Sequence, residues 1–330
     1  MDAVEALNEI AYWLERELAS SYKTKAFRGA AAAIAGKPID KIADGSLKVT
    51  GVGQTTLEVI REAAAGGVPA YLADVRARAV EPPATSLTLR GDLHSHSEWS
   101  DGTTPIELMA STAQWLGHSY LALTDHSPRL KIANGLSAER LRAQLKVVSR
   151  LNAASSDFRI LSGIEVDILD DGSLDQSDAM LSKLDVVVAS AHSKLKMPKA
   201  EMTRRMLGAV RDPHTRVLGH VTGRLVKGSR GTRPQSQFDA AAVFAECAER
   251  GVAVEINSRP ERQDPPDNLI EIAMDAGCLF SIDSDAHAPG HLGFILDGAA
   301  RAEAAGIPAD RIVTTWKLPK LLDWLSEPRR

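Results

Sequence analysis

His94-Ser95-His96 places two imidazoles two residues apart. On an extended chain such residues share a face, and the alternating Leu87 and Leu89 predict a strand over 86–90 that runs into the pair. Two neutral imidazoles aimed at one spot chelate a divalent ion with little further ordering. Asp101-Gly102 then makes a sharp turn that returns a carboxylate toward the same mouth. Residues of the same types recur downstream, each closing a short apolar run. The run 121–124 leads to Asp125-His126, 159–161 to Gly163-Ile164-Glu165, 186–189 to Ser190-Ala191-His192, and 216–218 to Gly219-His220. Then 252–254 leads to Glu255-Ile256-Asn257, and 279–282 to Asp283-Ser284-Asp285-Ala286-His287. Histidines scattered by chance would not fall repeatedly at the same end of successive runs.

Amphipathic patterns at 105–116, 138–152, 238–250 and 268–276 separate the runs. Short apolar strands alternating with helices predict a parallel sheet covered by those helices. Polar residues at strand C-termini are where a barrel of this kind carries its chemistry. Seven runs are counted, one fewer than in a regular eight-stranded barrel, so the expected fold is α/β, a distorted seven-stranded TIM-like barrel. His118 at a helix end, His214 after Pro213 and His291 in the 290–293 loop fall outside the pattern. They read as structural or solvated, with His291 near enough to the mouth to touch substrate.

The first eighty residues are different in kind. Val4, Leu7, Ile10, Ala11, Leu14 and Leu18 recur at helical spacing, a second helix is expected over 25–35, and a short third over 38–43. Gly51-Val52-Gly53 precedes a helix over 58–65 and allows a tight turn with exposed amides at a helix N-terminus, a place suited to a phosphate oxygen. Residues 1–80 hold ten Lys plus Arg and ten Asp plus Glu. Between 23 and 48, however, Lys23, Lys25, Arg28, Lys37, Lys41 and Lys48 face only Asp40 and Asp44, which predicts a local basic face. Residues 76–88 show no periodicity and read as a linker between a domain at 1–75 and one at 89–326.

The net charge of −4 gives the whole molecule no pull toward nucleic acid or anionic membrane, so attraction to phosphate must be local. Cys247 and Cys278 sit in apolar segments and read as core residues of a reducing compartment. No apolar run approaches the ~20 residues that span a bilayer, and the acidic amphipathic start lacks the basic opening and apolar core expected of a signal segment. A cytoplasmic location is expected.

The ordered motifs His-Ser-His, Thr-Asp-His, Gly-Ile-Glu, Ser-Ala-His, Gly-His-Val-Thr-Gly-Arg, Glu-Ile-Asn-Ser-Arg-Pro-Glu-Arg and Ser-Asp-Ala-His resemble the polymerase and histidinol phosphatase (PHP) family over about 88–326. They are most similar to the PHP domain of bacterial X-family DNA polymerases. Residues 1 to about 75 resemble the small helix-hairpin-helix domain of polymerase beta, which grips the DNA backbone without reading sequence. Where those relatives carry a lyase lysine this chain has Val59, so imine chemistry is not expected. The polymerase subdomains that separate the two regions in full-length relatives are absent between them here, which removes DNA synthesis from consideration.

The resemblance implies a trinuclear site of manganese, zinc or iron with all nine ligand positions filled. One ion would take His94, His96, Glu165 and Asp285, with Glu165 bridging to a second on His192 and His220. A third would take Asp101, His126 and His287. Some relatives have histidine in place of Asp101, which hardens that position here. Three divalent ions bring six charges, of which Asp101, Glu165 and Asp285 cancel three; the balance suits a bridging hydroxide and a phosphate group. Glu165, His192 and Asp285 are thereby the expected catalytic centre. Asp125 and Asp283 are candidates to orient ligand imidazoles.

Phosphate also calls for cations beyond the metals. Arg224, Lys227, Arg230 and Arg233 follow His220, Arg259 follows Asn257, and Lys131 lies in the loop after His126. Arg224 and Arg259 are the expected phosphate ligands, supported by Lys131, while Gly51, Gly53 and Lys48 are the expected DNA contacts. The chain thus reads as a metal-dependent phosphoesterase acting at DNA 3' ends, as exonuclease or 3'-phosphatase. The alternatives are a small-molecule phosphatase of the histidinol phosphate type and a DNA-bound scaffold with a vestigial barrel.

Overall fold

The structure is a computed structural model that describes residues 1–228 and 231–328; Arg230, one of the expected cations, lies outside them. Two compact units divide the chain, Met1–Glu81 and Pro82–Arg330.

The first unit holds α1 (Ala3–Arg16), α2 (Ser21–Ile34), α3 (Ile39–Ala43), α4 (Gln54–Ala64) and α5 (Ala70–Arg78). Leu7, Ile10 and Leu14 of α1 meet Phe27, Ala30, Ala31 and Ile34 of α2 and Val59, Ile60 and Ala63 of α4 in one core. Ala30 and Ala31 therefore form a close-packing surface. Arg28, expected on the basic face, turns inward, donating from Nε and Nη2 to Glu15 at 3.0 and 2.8 Å. Lys23, Lys25, Lys37, Lys41 and Lys48 remain exposed. Helix α5 continues past residue 75 because Leu72 and Val75 are buried in the same core. Arg76 and Arg78, expected in a linker, form its last turn and pair with Glu9 at 2.6 Å and Glu17 at 3.1 Å.

The second unit carries seven parallel strands hydrogen-bonded in chain order: β1 (Gly91–Asp92), β2 (Tyr120–Leu123), β3 (Arg159–Asp167), β4 (Val186–Ser190), β5 (Val217–Leu218), β6 (Ala253–Asn257) and β7 (Leu279–Asp283). The sheet curls until its first and last strands meet, through a parallel bridge between Ser95 and Ala286 and the His96 amide donating to the Ala286 carbonyl at 2.8 Å. Both faces of such strands are covered, which is why β4 is buried at every position. The expected strand over 86–90 is not formed; pairing begins only at Gly91. A Cβ there would lie 2.1 Å from the Tyr120 ring, so that register requires glycine.

Helices α6 (Ile106–Trp115), α7 (Ala138–Ala153), α8 (Asp178–Leu181), α9 (Lys199–Arg211), α10 (Ala240–Arg250), α11 (Asp267–Asp275), α12 (Ile295–Ala304) and α13 (Leu318–Ser326) complete the unit. Tyr120, Val186, Val217 and Ala253, the first residues of their strands, pack with Trp316, Leu321 and Trp324. Helix α13 and the segment before it therefore plug the N-terminal end of the barrel. Tyr120 Oη donates to the Trp316 carbonyl at 3.1 Å, pinning that plug. The opposite end is left for chemistry. Cys247 and Cys278 are buried free thiols in the core, and no helix of the described residues is long and apolar enough to cross a membrane.

Candidate metal centre

Glu165, near the C-terminal end of β3, stands at the middle of the open end with its side chain 1% exposed. Three donor atoms lie on one side of it. His94 Nε2 and His96 Nε2 are 3.3 and 3.7 Å from Glu165 Oε2, and Asp285 Oδ1 is 4.0 and 3.3 Å from the same two nitrogens. On the other side, His192 Nε2 and His220 Nε2 lie 3.3 and 2.9 Å from Oε1. Nearer the rim, His126 Nε2 and His287 Nε2 each lie 3.4 Å from Asp101 Oδ1. The second nitrogen of His126 is 2.8 Å from Glu165 Oε2, so this imidazole faces both carboxylates. The nine residues singled out as ligands thus meet in one cluster.

The turn that brings Asp101 back is organised by Asp125. Its carboxylate accepts from the Ser97 amide and hydroxyl at 2.9 and 2.6 Å, from Ser100, and from Gln144 Nε2 at 2.6 Å. It therefore fixes a loop and not an imidazole. Asp283 departs from its expected role in the same way: its Oδ1 accepts from the Leu93 amide at 2.8 Å. It stands beside Asp92, which accepts from the His94 amide at 3.0 Å and from Ser284. Burial pushes both carboxyls up, Asp92 to about 7.

Other acids orient the imidazoles. Glu255 is fully buried on β6, accepting from His94 Nδ1 at 2.5 Å and from the His220 amide. Asp167 Oδ1 accepts from the His192 amide at 3.1 Å and from its Nδ1 at 3.2 Å. The Asp285 carbonyl accepts from His287 Nδ1 at 2.9 Å. Each bond leaves Nε2 as the free lone pair facing the cluster. Arg262 Nε and Asn257 Nδ2 both donate to Asp285 Oδ2 at 3.1 Å, turning Oδ1 inward. Sequence reading missed Glu255, Asp167 and Arg262 in these roles. Strand periodicity could have found the first two, since Glu255 shares a face with Asn257 and Asp167 with Glu165.

The electrostatics are those of a cluster built for cations. Burial alone would raise Glu165, yet His192, His94 and His126 hold it well below the carboxylate range. Asp285 is held low against its burial by His94, His96 and Arg262. Burial opposes charge on the imidazoles as well, but Glu255 and Glu165 hold His94 well above its ordinary value. Glu165 and Asp101 lift His126 to about 10 against the same penalty. Burial together with His287 and His126 pushes His96 down to about 3. Seven buried atoms, His94 Nε2, His96 Nδ1 and Nε2, His126 Nδ1, Glu165 Oε2, His192 Nε2 and His220 Nδ1, make no hydrogen bond. Orphaned buried polar atoms are costly, and five of these face carboxylates or imidazoles across the cluster. A tetrahedral ion with ligand bonds of about 2.1 Å sets its donor atoms ~3.4 Å apart. The separations above match, and three groups of residues have donor atoms close enough to share an ion: His96, Asp101, His126 and His287; His94, His96 and Asp285; His126, Glu165 and His192. Divalent metal ions fit this donor set.

The expected cations divide. Arg259 Nη1 sits 3.0 Å from His287 Nδ1 and is at the cluster. Arg224 does not reach it, because Nε donates to the Arg262 and Gln263 carbonyls at 3.2 and 3.0 Å. Arg233 Nε donates to the Gly223 carbonyl at 2.7 Å, and Lys227 and Lys131 are exposed. His291 Nδ1 accepts from the His287 amide at 3.3 Å and so supports a ligand's backbone. His118 is buried and His214 pairs with Asp178 at 2.7 Å. In the first unit Gly51 takes a positive φ of 91°. The Gly53 amide, expected to be open to phosphate, donates to Thr56 Oγ1 at 2.9 Å.

The PHP domain family model matches residues 92–259, which include seven of these nine cluster residues. The chain belongs to the PHP domain family. Among PHP relatives, the DNA polymerase/3'-5' exonuclease PolX of Bacillus subtilis is 40% identical over 199 residues, 60% of this chain and 34% of that protein. The chain therefore spans about a third of that relative's length. A probable phosphatase of Thermoanaerobacter sp. is 28% identical over 250 residues, 72% of this chain and 95% of that protein. Among solved structures, histidinol phosphate phosphatase of Lactococcus lactis, complexed with zinc, L-histidinol and phosphate, aligns with a TM-score of 0.49 at 17% identity. That alignment covers 66% of this chain and 94% of the other. Membership in the PHP family agrees with reading the chain as a metal-dependent hydrolase of phosphate esters.

Proposed function

We propose that this PHP barrel hydrolyses phosphate esters at DNA 3' ends, as a 3'-5' exonuclease or 3'-phosphatase. Three divalent ions, manganese, zinc or iron, would be held by His94, His96, Glu165 and Asp285, by Glu165, His192 and His220, and by Asp101, His126 and His287. The observation that carries the reading is the Glu165-centred set of buried donor atoms left without hydrogen-bond partners. Bound there, divalent ions supply Lewis acidity to a phosphoryl oxygen and activate water near neutral pH.

The protein's own groups do the rest. Glu255, Asp167 and the Asp285 carbonyl keep the imidazole protons on Nδ1. Because His287 Nδ1 then donates to that carbonyl, it offers Arg259 no lone pair; the guanidinium, held beside the cluster by Glu261 at 3.5 Å and the Asp285 carbonyl at 3.4 Å, is the cation placed to meet a phosphate oxygen. Arg224, bonded to carbonyls, contributes by holding the 259–263 segment that carries Arg259 and Arg262. The exposed lysines 23, 25, 37, 41 and 48 and the turn at Gly51 and Gly53 supply a backbone grip in the first unit, weaker than a face that included Arg28. Similarity to PolX supports DNA as substrate. Coverage of nearly whole phosphatase relatives supports the second reading, a phosphatase of small esters.

The test is to load the protein with manganese and offer it a 3'-labelled duplex, a 3'-phosphorylated duplex, a nucleotide monophosphate and histidinol phosphate, with His192→Ala as control. Release from DNA that His192→Ala abolishes supports the first reading. Turnover of the small esters alone supports the second, and no turnover of any substrate overturns both.

A further inference from the structure

Ile132 is 94% exposed, the most exposed large hydrophobic among the described residues, and it stands on the loop that leaves His126. A single exposed apolar side chain is ordinary on a mobile surface, but this loop is built to be stiff. It leaves and rejoins the barrel at one point, the Leu136 amide donating to the His126 carbonyl at 2.7 Å. Ile132 stands four positions before Leu136, so its Cα lies within ~14 Å of that junction. The limbs close only because position 135 is glycine, where a Cβ would meet the Ser127 carbonyl at 1.9 Å. Buried Ala133 anchors the short 3-10 turn Lys131–Ala133 from below. Asn134 Nδ2 donates to the Trp99 carbonyl at 3.2 Å, and Arg140 donates to the same carbonyl and to that of Asn134 at 2.7 Å. The loop is thereby braced against the turn that carries Asp101, the donor nearest the rim.

Beneath that rim the centre is recessed. His94, His96 and Glu165 have side chains no more than 1% exposed, whereas Asp101 is 36% exposed. A stacked duplex is too wide to enter such a pit, so its last nucleotide must leave the stack, at a cost of a few kcal/mol. Proteins that open base steps do so with a rigid apolar wedge, isoleucine among them. Cations beside the wedge hold the backbone it displaces, and Arg129 and Lys131 are exposed on either side of Leu130 in the same loop.

We propose that Ile132 is a wedge that stacks under the last base pair of a duplex 3' end and stabilises the frayed nucleotide whose phosphate enters the centre. This inference rests on the DNA reading above. Ile132 is then a specificity-determining residue, favouring paired ends and indifferent to ends already single-stranded.

The experiment measures manganese-loaded protein on one 3'-labelled strand, blunt-paired and unpaired, for the natural chain, Ile132→Ala and Ile132→Leu. The rate ratio of paired to unpaired strand should fall about tenfold in Ile132→Ala, equivalent to about 1.4 kcal/mol, and recover in Ile132→Leu. Metal content and thermal midpoint should match the natural chain in both. An unchanged ratio, equal slowing on both strands, or a fall accompanied by metal loss overturns the wedge while leaving the DNA reading standing. If the natural chain releases nothing from either strand yet turns over a small ester, the DNA reading falls and the wedge with it.

Discussion

Glu255→Gln should cost metal affinity without changing the shape of the site. The carboxylate is fully buried and accepts three bonds, from His94 Nδ1 at 2.5 Å on one oxygen and from the His220 amide and Asn257 Nδ2, the latter at 3.3 Å, on the other. Glutamine keeps one acceptor oxygen and puts an NH2 where the other stood. If the NH2 faces His220, two donors oppose each other. If it faces His94, the imidazole must accept on Nδ1 and carry its proton on Nε2, the atom 3.3 Å from Glu165 that should hold an ion. Each orientation leaves one buried donor unpaired or one ligand in the wrong tautomer, a penalty of about 1–3 kcal/mol. That corresponds to about 10- to 100-fold in metal affinity. Metal content after dialysis against graded free manganese, paired with calorimetric titration, measures it. A Glu255→Gln protein that binds its full complement at unchanged affinity would refute the reasoning, because it would show that the His94 tautomer is not set by this bond.

Metal uptake should release protons. Glu165 and Asp101 lift His126 to about 10, and Glu255 and Glu165 lift His94, so both imidazoles are protonated in the metal-free protein near neutral pH. An ion must displace those protons, so affinity should rise with pH, by about tenfold per unit for each proton displaced, and level off only above the folded value of His126. Calorimetry in buffers of different ionisation enthalpy counts the protons; zero release contradicts the electrostatics. Trp324→Ala should destabilise the barrel by about 3–5 kcal/mol, since that ring helps plug the strand N-termini and donates to the Gly251 carbonyl at 3.1 Å. Urea unfolding checks it, and a loss under ~1 kcal/mol would mean the plug carries little.

Much of the site could be read from the chain because its chemistry is concentrated. Histidine and acid at the ends of successive apolar runs mark both the strands and the face they open onto, and a parallel barrel brings those ends together. Roles that depend on which neighbour a side chain meets were harder to read. Asp125 is adjacent to His126 in sequence, yet it reaches sideways to Ser97, Ser100 and Gln144. Glu255 lies ninety residues from Glu165 in sequence and acts on His94. Arg224 and Arg259 look alike as loop cations near strand ends, but carbonyls of the 262–263 segment claim the first. The expected strand before His94 fails for a local reason: Leu87 and Leu89 alternate as in a strand while packing only partly buried against the core, and pairing waits for Gly91. The sequence puts Arg28 on a basic face and Arg76 in a linker, but Glu15 and Glu9 pair with them within the helical unit.

Anomalous scattering from crystals grown with manganese gives the most direct test of a cation cluster gathered on Glu165. Three peaks ~3.5–4 Å apart, bounded by the His94, His192 and Asp101 groups, are the expected result. No peak at Glu165, or manganese bound only at surface carboxylates, would contradict it.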